Sequence, residues 1–229
     1  MGMEDVWVVV PVYNEATTIS EVVSDLRRSF TNVLCVDDGS SDGSAALAAR
    51  AGATVIRHGI NVGQGAALQT GFDFVLRFPG AAWAVTFDAD GQHLVADAVK
   101  MAEVAKETQV DVVLASRFIG TTHRMPHMRR LVLKAGVAFT RFTARLDVTD
   151  THNGLRVLSR KAMQQIQLDQ PRMAYASELL SAISTHRLTY VEVPVSVIYS
   201  EYSRRKGQRN INAVNILFDL TLARLRPAP

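Results

Sequence analysis

Two aspartates one residue apart, Asp88 and Asp90, follow the apolar run at 83–87 and lead into Gly91, Gln92 and His93. Carboxylates at a strand's exit can grip one hard divalent cation, Mg²⁺ or Mn²⁺, whose remaining positions suit phosphate oxygens. A positive centre there would stabilise negative charge building on a departing diphosphate. A solvated acidic turn has the same spacing, so the surroundings must decide between the two.

Asp37 and Asp38 stand at another strand's end, before Gly39 and the run Ser40-Ser41-Asp42-Gly43-Ser44. Carboxylates at such a turn can accept hydrogen bonds from a base or a ribose, while the glycines allow tight turning. Gly59-Ile60-Asn61-Val62-Gly63-Gln64-Gly65 looks like a phosphate loop, but its spacing fits neither dinucleotide nor Walker patterns, and it reads as a structural turn. Arg117, Arg124, Arg129 and Arg130 form one basic cluster, and Arg204, Arg205, Lys206 and Arg209 form another. Guanidinium forks suit phosphate oxygens. Glu178 could serve as a general base for a hydroxyl acceptor, or as an ion-pair partner on a helix face. His93 reads as a support for the aspartates; the other histidines read as ordinary loop or surface residues.

These residues need a scaffold that gathers strand ends. The run 6–12 is apolar and β-branched, as a strand covered on both faces should be. Behind it Ile19, Val22, Val23 and Leu26 recur at helical spacing, with Asn14, Thr17 and Thr18 available as caps. Strands at 33–36, 54–57, 83–87 and 110–115 alternate with helices at 42–51, 64–78 and 95–107. The pattern predicts βαβ units, a mostly parallel Rossmann-like sheet with helices on both faces, and ligand groups beyond the strands' carboxyl ends. After Ser116 the rhythm breaks into a basic loop at 117–130, helices at 131–146, 175–185 and 211–226, and strands at 155–159 and 191–199. We expect one domain over 1–229, with 1–116 holding donor and metal and 117–229 forming a basic, amphipathic acceptor side.

Charge follows the same division. Residues 1–116 hold seven basic against fifteen acidic residues, and 117–229 hold eighteen against seven, so the net charge of +3 hides a swing from −8 to +11. A cation site followed by a phosphate-binding surface fits that polarity. The single cysteine, Cys35, excludes an intrachain disulfide and reads as strand core. The acidic start does not resemble a secretory signal, and no apolar run approaches the roughly 20 residues of a spanning helix.

Val8-Val9-Val10-Pro11-Val12-Tyr13-Asn14-Glu15, Val36-Asp37-Asp38-Gly39-Ser40 and Asp88-Ala89-Asp90, in this order, resemble glycosyltransferase family 2, and within it the dolichol-phosphate mannosyltransferase-like branch. The likeness continues through Asn61-Val62-Gly63-Gln64-Gly65, Ala115-Ser116-Arg117-Phe118, Asp150 with Asn153-Gly154-Leu155-Arg156, and the loop near Lys206. It implies a GT-A fold and inverting transfer of a hexose from a GDP- or UDP-sugar to a polyprenyl phosphate. It further implies that Pro11, Tyr13, Glu15 and Asp38 line the nucleoside pocket with Asp37 close behind. Asp88, Asp90 and Gln92 would hold the metal, while Arg117 and one of Arg204, Arg205 and Lys206 match phosphate-binding positions of the family; Arg130, from the basic loop itself, joins them as a phosphate-binding candidate.

Asp90, Arg117 and Glu178 are the expected catalytic set. A phosphate acceptor needs no base, so Glu178 matters only if a saccharide hydroxyl is the acceptor instead. The branch implies interface helices in the region after the Ser-Arg motif. We therefore expect the protein to lie peripherally at the cytoplasmic face of a membrane, with a small membrane-spanning partner docking near 211–226. The rival from another class is a non-catalytic nucleotide- or membrane-binding module. Nucleic acid is not expected, since no aromatic residues interleave with the basic loops.

Overall fold

The computed structural model describes residues 2–119, 146–151, 153–168 and 175–198. Among these residues seven strands form a single sheet: β1 (Val6–Val12), β2 (Asn32–Asp37), β3 (Thr54–Arg57), β4 (Trp83–Thr86), β5 (Val112–Ser116), β6 (Arg156–Ser159) and β7 (Tyr190–Pro194). Their order is β3-β2-β1-β4-β6-β5-β7. The helices are α1 (Ile19–Arg27), α2 (Ser44–Arg50), α3 (Gln64–Val75), α4 (Val95–Thr108), α5 (Arg160–Gln165) and α6 (Tyr175–Thr185).

Strand β1 is central because it is apolar on both sides. Val6, Val8, Val10 and Val12 face a core shared with α1, α2 and α4, whereas Val9 faces a second core built with α3, α5 and α6. Each face of the sheet thus acquires its own helical layer, as the alternating pattern predicts. Cys35 lies in the first core, fully buried, and burial pushes its thiol up to about 12, so it is inert packing.

The one reversed strand was not legible in the sequence. β6 runs antiparallel to both β4 and β5, pairing Thr86 with Arg156 and Leu114 with Arg156. Its amino end therefore lies at the same edge as the carboxyl ends of β1, β2 and β4, and it carries Asn153 to Arg156 to that edge. Helix α5 was also unforeseen; it has only six residues, and Ser159 caps it by accepting from the Ala162 amide at 3.1 Å. Helix α2 begins at Ser44 rather than 42, because the Asp42 carboxylate is occupied with the Ser44 and Ala16 amides. The expected helix at 211–226 lies outside the described residues, and so does 131–146 apart from Leu146. No helix among the described residues is long and apolar enough to cross a membrane.

Candidate active site

Three loops at the carboxyl edge are tied together side chain to backbone. The Asn14 amide donates to Ser40 Oγ at 2.9 Å, the Glu15 amide to Ser44 Oγ at 2.8 Å, and the Ser41 amide returns to Asn14 Oδ1 at 3.0 Å. Thr18 precedes α1, but its hydroxyl does not cap that helix; it donates to the Ala89 carbonyl at 2.8 Å and so joins the first loop to the turn between the aspartates. The loops after β1, β2 and β4 are thereby tied into one unit.

Asp38 extends that unit to the β3–α3 loop. Its carboxylate accepts from the amides of Val62 at 2.9 Å and Gly63 at 2.7 Å and lies 2.8 Å from His58 Nδ1. His58 Nε2 in turn lies 3.0 Å from Thr70 Oγ1, so this half-buried histidine links the two segments and is not the ordinary loop residue expected. Gly39 makes the approach possible: at φ +75° a Cβ there would sit 2.7 Å from the Ile60 carbonyl carbon. Asp37 is fully buried behind the turn and pairs with Arg57 Nε at 3.1 Å.

The two metal-motif aspartates differ in setting. Protein surrounds Asp88, yet 29% of its side-chain surface opens into a cleft. Gln64 Nε2 donates to its Oδ1 at 3.1 Å, and His93 Nε2 lies 3.1 Å from its Oδ2. A Cβ on Gly154 would come within 2.2 Å of the same Oδ2, so a glycine lets β6 approach this carboxylate. Burial opposes charge on Asp88, but the hydrogen bond and electrostatic pull of His93, the Arg156 charge and the Gln64 amide outweigh it and hold its carboxyl below the usual range. Asp90 goes the other way: burial and the neighbouring Asp88 charge raise it to about 6, with the Gln92 amide donating to its Oδ1 at 3.0 Å.

The cleft, of about 450 Å³, is lined by Pro11, Tyr13, Glu15 and Asp38 on one side and by Asp88, Asp90, Gly154 and Tyr175 on the other. Asn61, Gly63 and Gln64 complete its wall, so the loop expected to be only a structural turn belongs to the cleft. The lone signal that could have placed them there was a glycine-rich turn at a helix start. A similar-sized hollow at the opposite edge, about 510 Å³, is walled by the pairs Lys106–Asp5 and Lys161–Asp111 and lies away from these carboxylates.

Arg117 stands at the end of β5, 7% exposed, and forks onto Asp150 with Nε at 2.6 Å and Nη2 at 2.7 Å. Asp150 also accepts from the Arg117 amide, and Glu192 accepts from the Thr149 amide, fixing this segment against β5 and β7. Glu178 is half-buried on α6 one turn beyond Tyr175 and is not part of the cleft wall. Beyond β7 the chain crosses back to the metal turn, where the Ile198 amide donates to the Gln92 carbonyl at 2.9 Å. Arg130, Arg204, Arg205 and Lys206 lie outside the described residues.

Divalent cations with oxygen ligands commonly take one or two carboxylates and fill the rest from phosphates and water. No cluster of three acidic, histidine or cysteine side chains capable of holding a metal by itself occurs among the described residues. The pair Asp88 and Asp90, with charge to be balanced on Asp90, fits a cation that arrives with a diphosphate.

The family model for glycosyl transferase family 2 matches residues 7–167. The chain belongs to that family. It is a nucleotide-sugar-dependent glycosyltransferase, similar to relatives of the polyprenyl-phosphate branch. The UDP-N-acetylglucosamine–dolichyl-phosphate N-acetylglucosaminyltransferase of Methanococcus voltae is 30% identical over 96% of each chain. The polyprenol monophosphomannose synthase of Mycolicibacterium smegmatis is 28% identical over 82% of this chain and 76% of its own. Among solved structures, glucosyl-3-phosphoglycerate synthase from Mycobacterium tuberculosis with Mn²⁺, UDP-glucose and phosphoglyceric acid superposes with a TM-score of 0.66, covering 93% of this chain and 78% of that one. At 18% identity that likeness concerns the GT-A fold.

Proposed function

We propose that this family 2 member transfers a hexose, with inversion, from a GDP- or UDP-sugar to a polyprenyl phosphate in a reaction that depends on Mg²⁺ or Mn²⁺. The supporting observation is the placement of Asp88 and Asp90 together on a cleft of ligand size, with Asp88 held by Gln64 Nε2 and His93 Nε2 and Asp90 accepting from the Gln92 amide. The relatives named for dolichyl- and polyprenyl-phosphate transfer support the acceptor class.

In this reading Pro11, Tyr13 and Glu15 border the nucleoside, and Asp38 shapes its pocket by holding the 60–63 loop in place. Asp88 and Asp90 hold the cation, which when bound supplies Lewis-acid stabilisation to the diphosphate leaving group, and Gln92 flanks them. Gln64 and His93 fix the Asp88 carboxylate so that no reorientation is needed during transfer. An acceptor phosphate carries its own negative charge, so proximity and alignment do the work that a base would do for a hydroxyl. Arg117, locked onto Asp150, would orient the phosphate-binding segment and meet phosphate only by sharing that partner. Arg130, Arg204, Arg205 and Lys206 are the proposed phosphate clamps. The last three follow Ile198 by six to eight residues, a reach of at most about 29 Å from the metal turn.

In this proposal 1–116 carries the nucleotide and the metal, Gly154 and Tyr175 from 117–229 close the same cleft, and the acceptor lies beside the rest of 117–229, at the inner face of a membrane. A separate membrane-spanning partner remains tied to the helix expected at 211–226. Purified protein incubated with labelled UDP- and GDP-sugars and membrane extract, with and without Mn²⁺, tests the proposal. Label should enter the organic phase only with metal present; label confined to water-soluble saccharide would refute the lipid acceptor.

A further inference from the structure

Tyr175 opens α6 with its ring buried, 5% exposed, and the Arg156 guanidinium 5.6 Å from the ring centroid. Among the described residues nothing hydrogen-bonds to its hydroxyl. Yet Tyr175 belongs to the cleft wall with Asp88, Asp90 and Gly154. The hydroxyl is not among the buried polar atoms that lack a partner, so in a residue otherwise enclosed its oxygen is reachable from the cleft. A phenolic hydroxyl so placed can donate to, and accept from, what the cleft receives.

The order of strands says which part of a ligand that is. The cleft wall crosses β2, β1, β4 and β6 in turn, a span of about 14 Å at the usual spacing between strands. With the nucleoside against Pro11, Tyr13 and Asp38 and the diphosphate at Asp88 and Asp90, the next position, over Gly154 and Tyr175, falls to the sugar. We infer that Tyr175 is a specificity-determining residue whose phenolic hydroxyl hydrogen-bonds an oxygen of the donor hexose. This deepens, and rests on, the nucleotide-sugar reading of the cleft. The Arg156 guanidinium over the ring helps fix it, so the hydroxyl is presented at a defined position and favours a hexose with an oxygen to meet it. A site built to bond one hydroxyl discriminates strongly against sugars lacking it.

The test is calorimetry with Mn²⁺, wild type against Tyr175→Phe, using UDP, GDP, UDP-glucose, UDP-N-acetylglucosamine and GDP-mannose. Phenylalanine keeps the ring and its contact with Arg156, and a melting curve checks the fold. The variant should bind the sugar-free diphosphate within about twofold of wild type and the preferred nucleotide sugar about five- to twentyfold more weakly, the loss of one hydrogen bond to a neutral group. Equal weakening of both, or of neither, would overturn the inference. Should the variant not fold, the wild type alone suffices: among monodeoxy analogues of the preferred nucleotide sugar, one should lose the same factor, and a flat series would overturn the inference. Binding of diphosphate without any gain from the attached sugar in the wild type would count against this inference alone. Failure of the wild type to bind any of these ligands would instead remove the nucleotide-sugar reading beneath it.

Discussion

The donor side and the reversed-strand side of the cleft are built on different principles. On the donor side, the loops after β1, β2 and β4 carry their functional groups within a few residues of a strand end and are tied by short links such as Ser40 to Asn14 and Thr18 to Ala89. On the other side, Gly154, Arg156 and Tyr175 arrive from an antiparallel strand and a helix, and Arg117 is governed by Asp150, 33 residues away. The donor side is therefore a set of local motifs. The other side depends on tertiary packing, and perturbations there should reach the chemistry through the fold.

The largest effect should come from the donor side's own carboxylate. Asp88→Asn retains shape and hydrogen-bonding capacity but removes charge, and should lower kcat/KM by about 10³-fold or more, with loss of Mn²⁺-linked nucleotide binding. An active variant with normal metal dependence would place the cation elsewhere. Across the cleft the matching experiment reads stability. Asp150→Ala leaves the buried Arg117 without its bidentate partner and should destabilise by about 3–5 kcal/mol, measured by chemical denaturation. A loss below about 1 kcal/mol would mean that this pair does not organise its side of the molecule.

Gly154→Ala joins the two sides at their contact. The added methyl would press on Asp88 Oδ2, and since Gly154 shows no left-handed backbone, the effect should fall on the carboxylate. Activity should drop by about 10²-fold, as for a small misplacement of a reacting group, while the melting temperature changes little. A large fall in stability with normal kcat in the surviving protein would deny the coupling.

How much of this was legible follows the same division. The apolar run 6–12 and the motifs behind it announced β1, its neighbours and the aspartate turn, because a parallel strand buried on both faces leaves a continuous signature. Strand direction leaves none: Arg156-Val157-Leu158-Ser159 reads the same whichever way it pairs, so Gly154 could not be seen to lie against Asp88. Asp38 stands at a strand end where a carboxylate draws notice, but its grip on the Val62 and Gly63 amides depends on a contact 24 to 25 residues distant. His58 was misread for the same reason.

Proton linkage separates the two aspartates. Asp90 rises to about 6 in the folded protein, above its unfolded value, so its contribution is fully present below the unfolded pKa and is lost as pH climbs through about 6. Asp88, Asp42 and Asp111 are shifted the other way and add stability with rising pH, so the total curve alone is ambiguous. The difference between wild type and Asp90→Asn isolates the one group. Without metal, the asparagine variant should be more stable by about 1–2 kcal/mol at pH 7.5, with the gap closing toward pH 4, after discounting for solvent screening. Wild type should regain the difference with Mn²⁺ and nucleotide diphosphate, and the variant should not. No gap at either pH would mean that Asp88 and Asp90 do not strain one another.

The smallest expected change concerns Glu178. It shares α6 with Tyr175 but not the cleft wall, and an acceptor phosphate has no proton that must be removed. Glu178→Gln conserves volume and hydrogen-bonding capacity while abolishing basicity, so activity with a polyprenyl phosphate should stay within about twofold, with an unchanged pH profile. A fall of about 10²-fold with the basic limb of the profile removed would identify Glu178 as a base. It would turn the proposal toward a saccharide hydroxyl, and it would mean that α6 moves Glu178 to the cleft once an acceptor is bound.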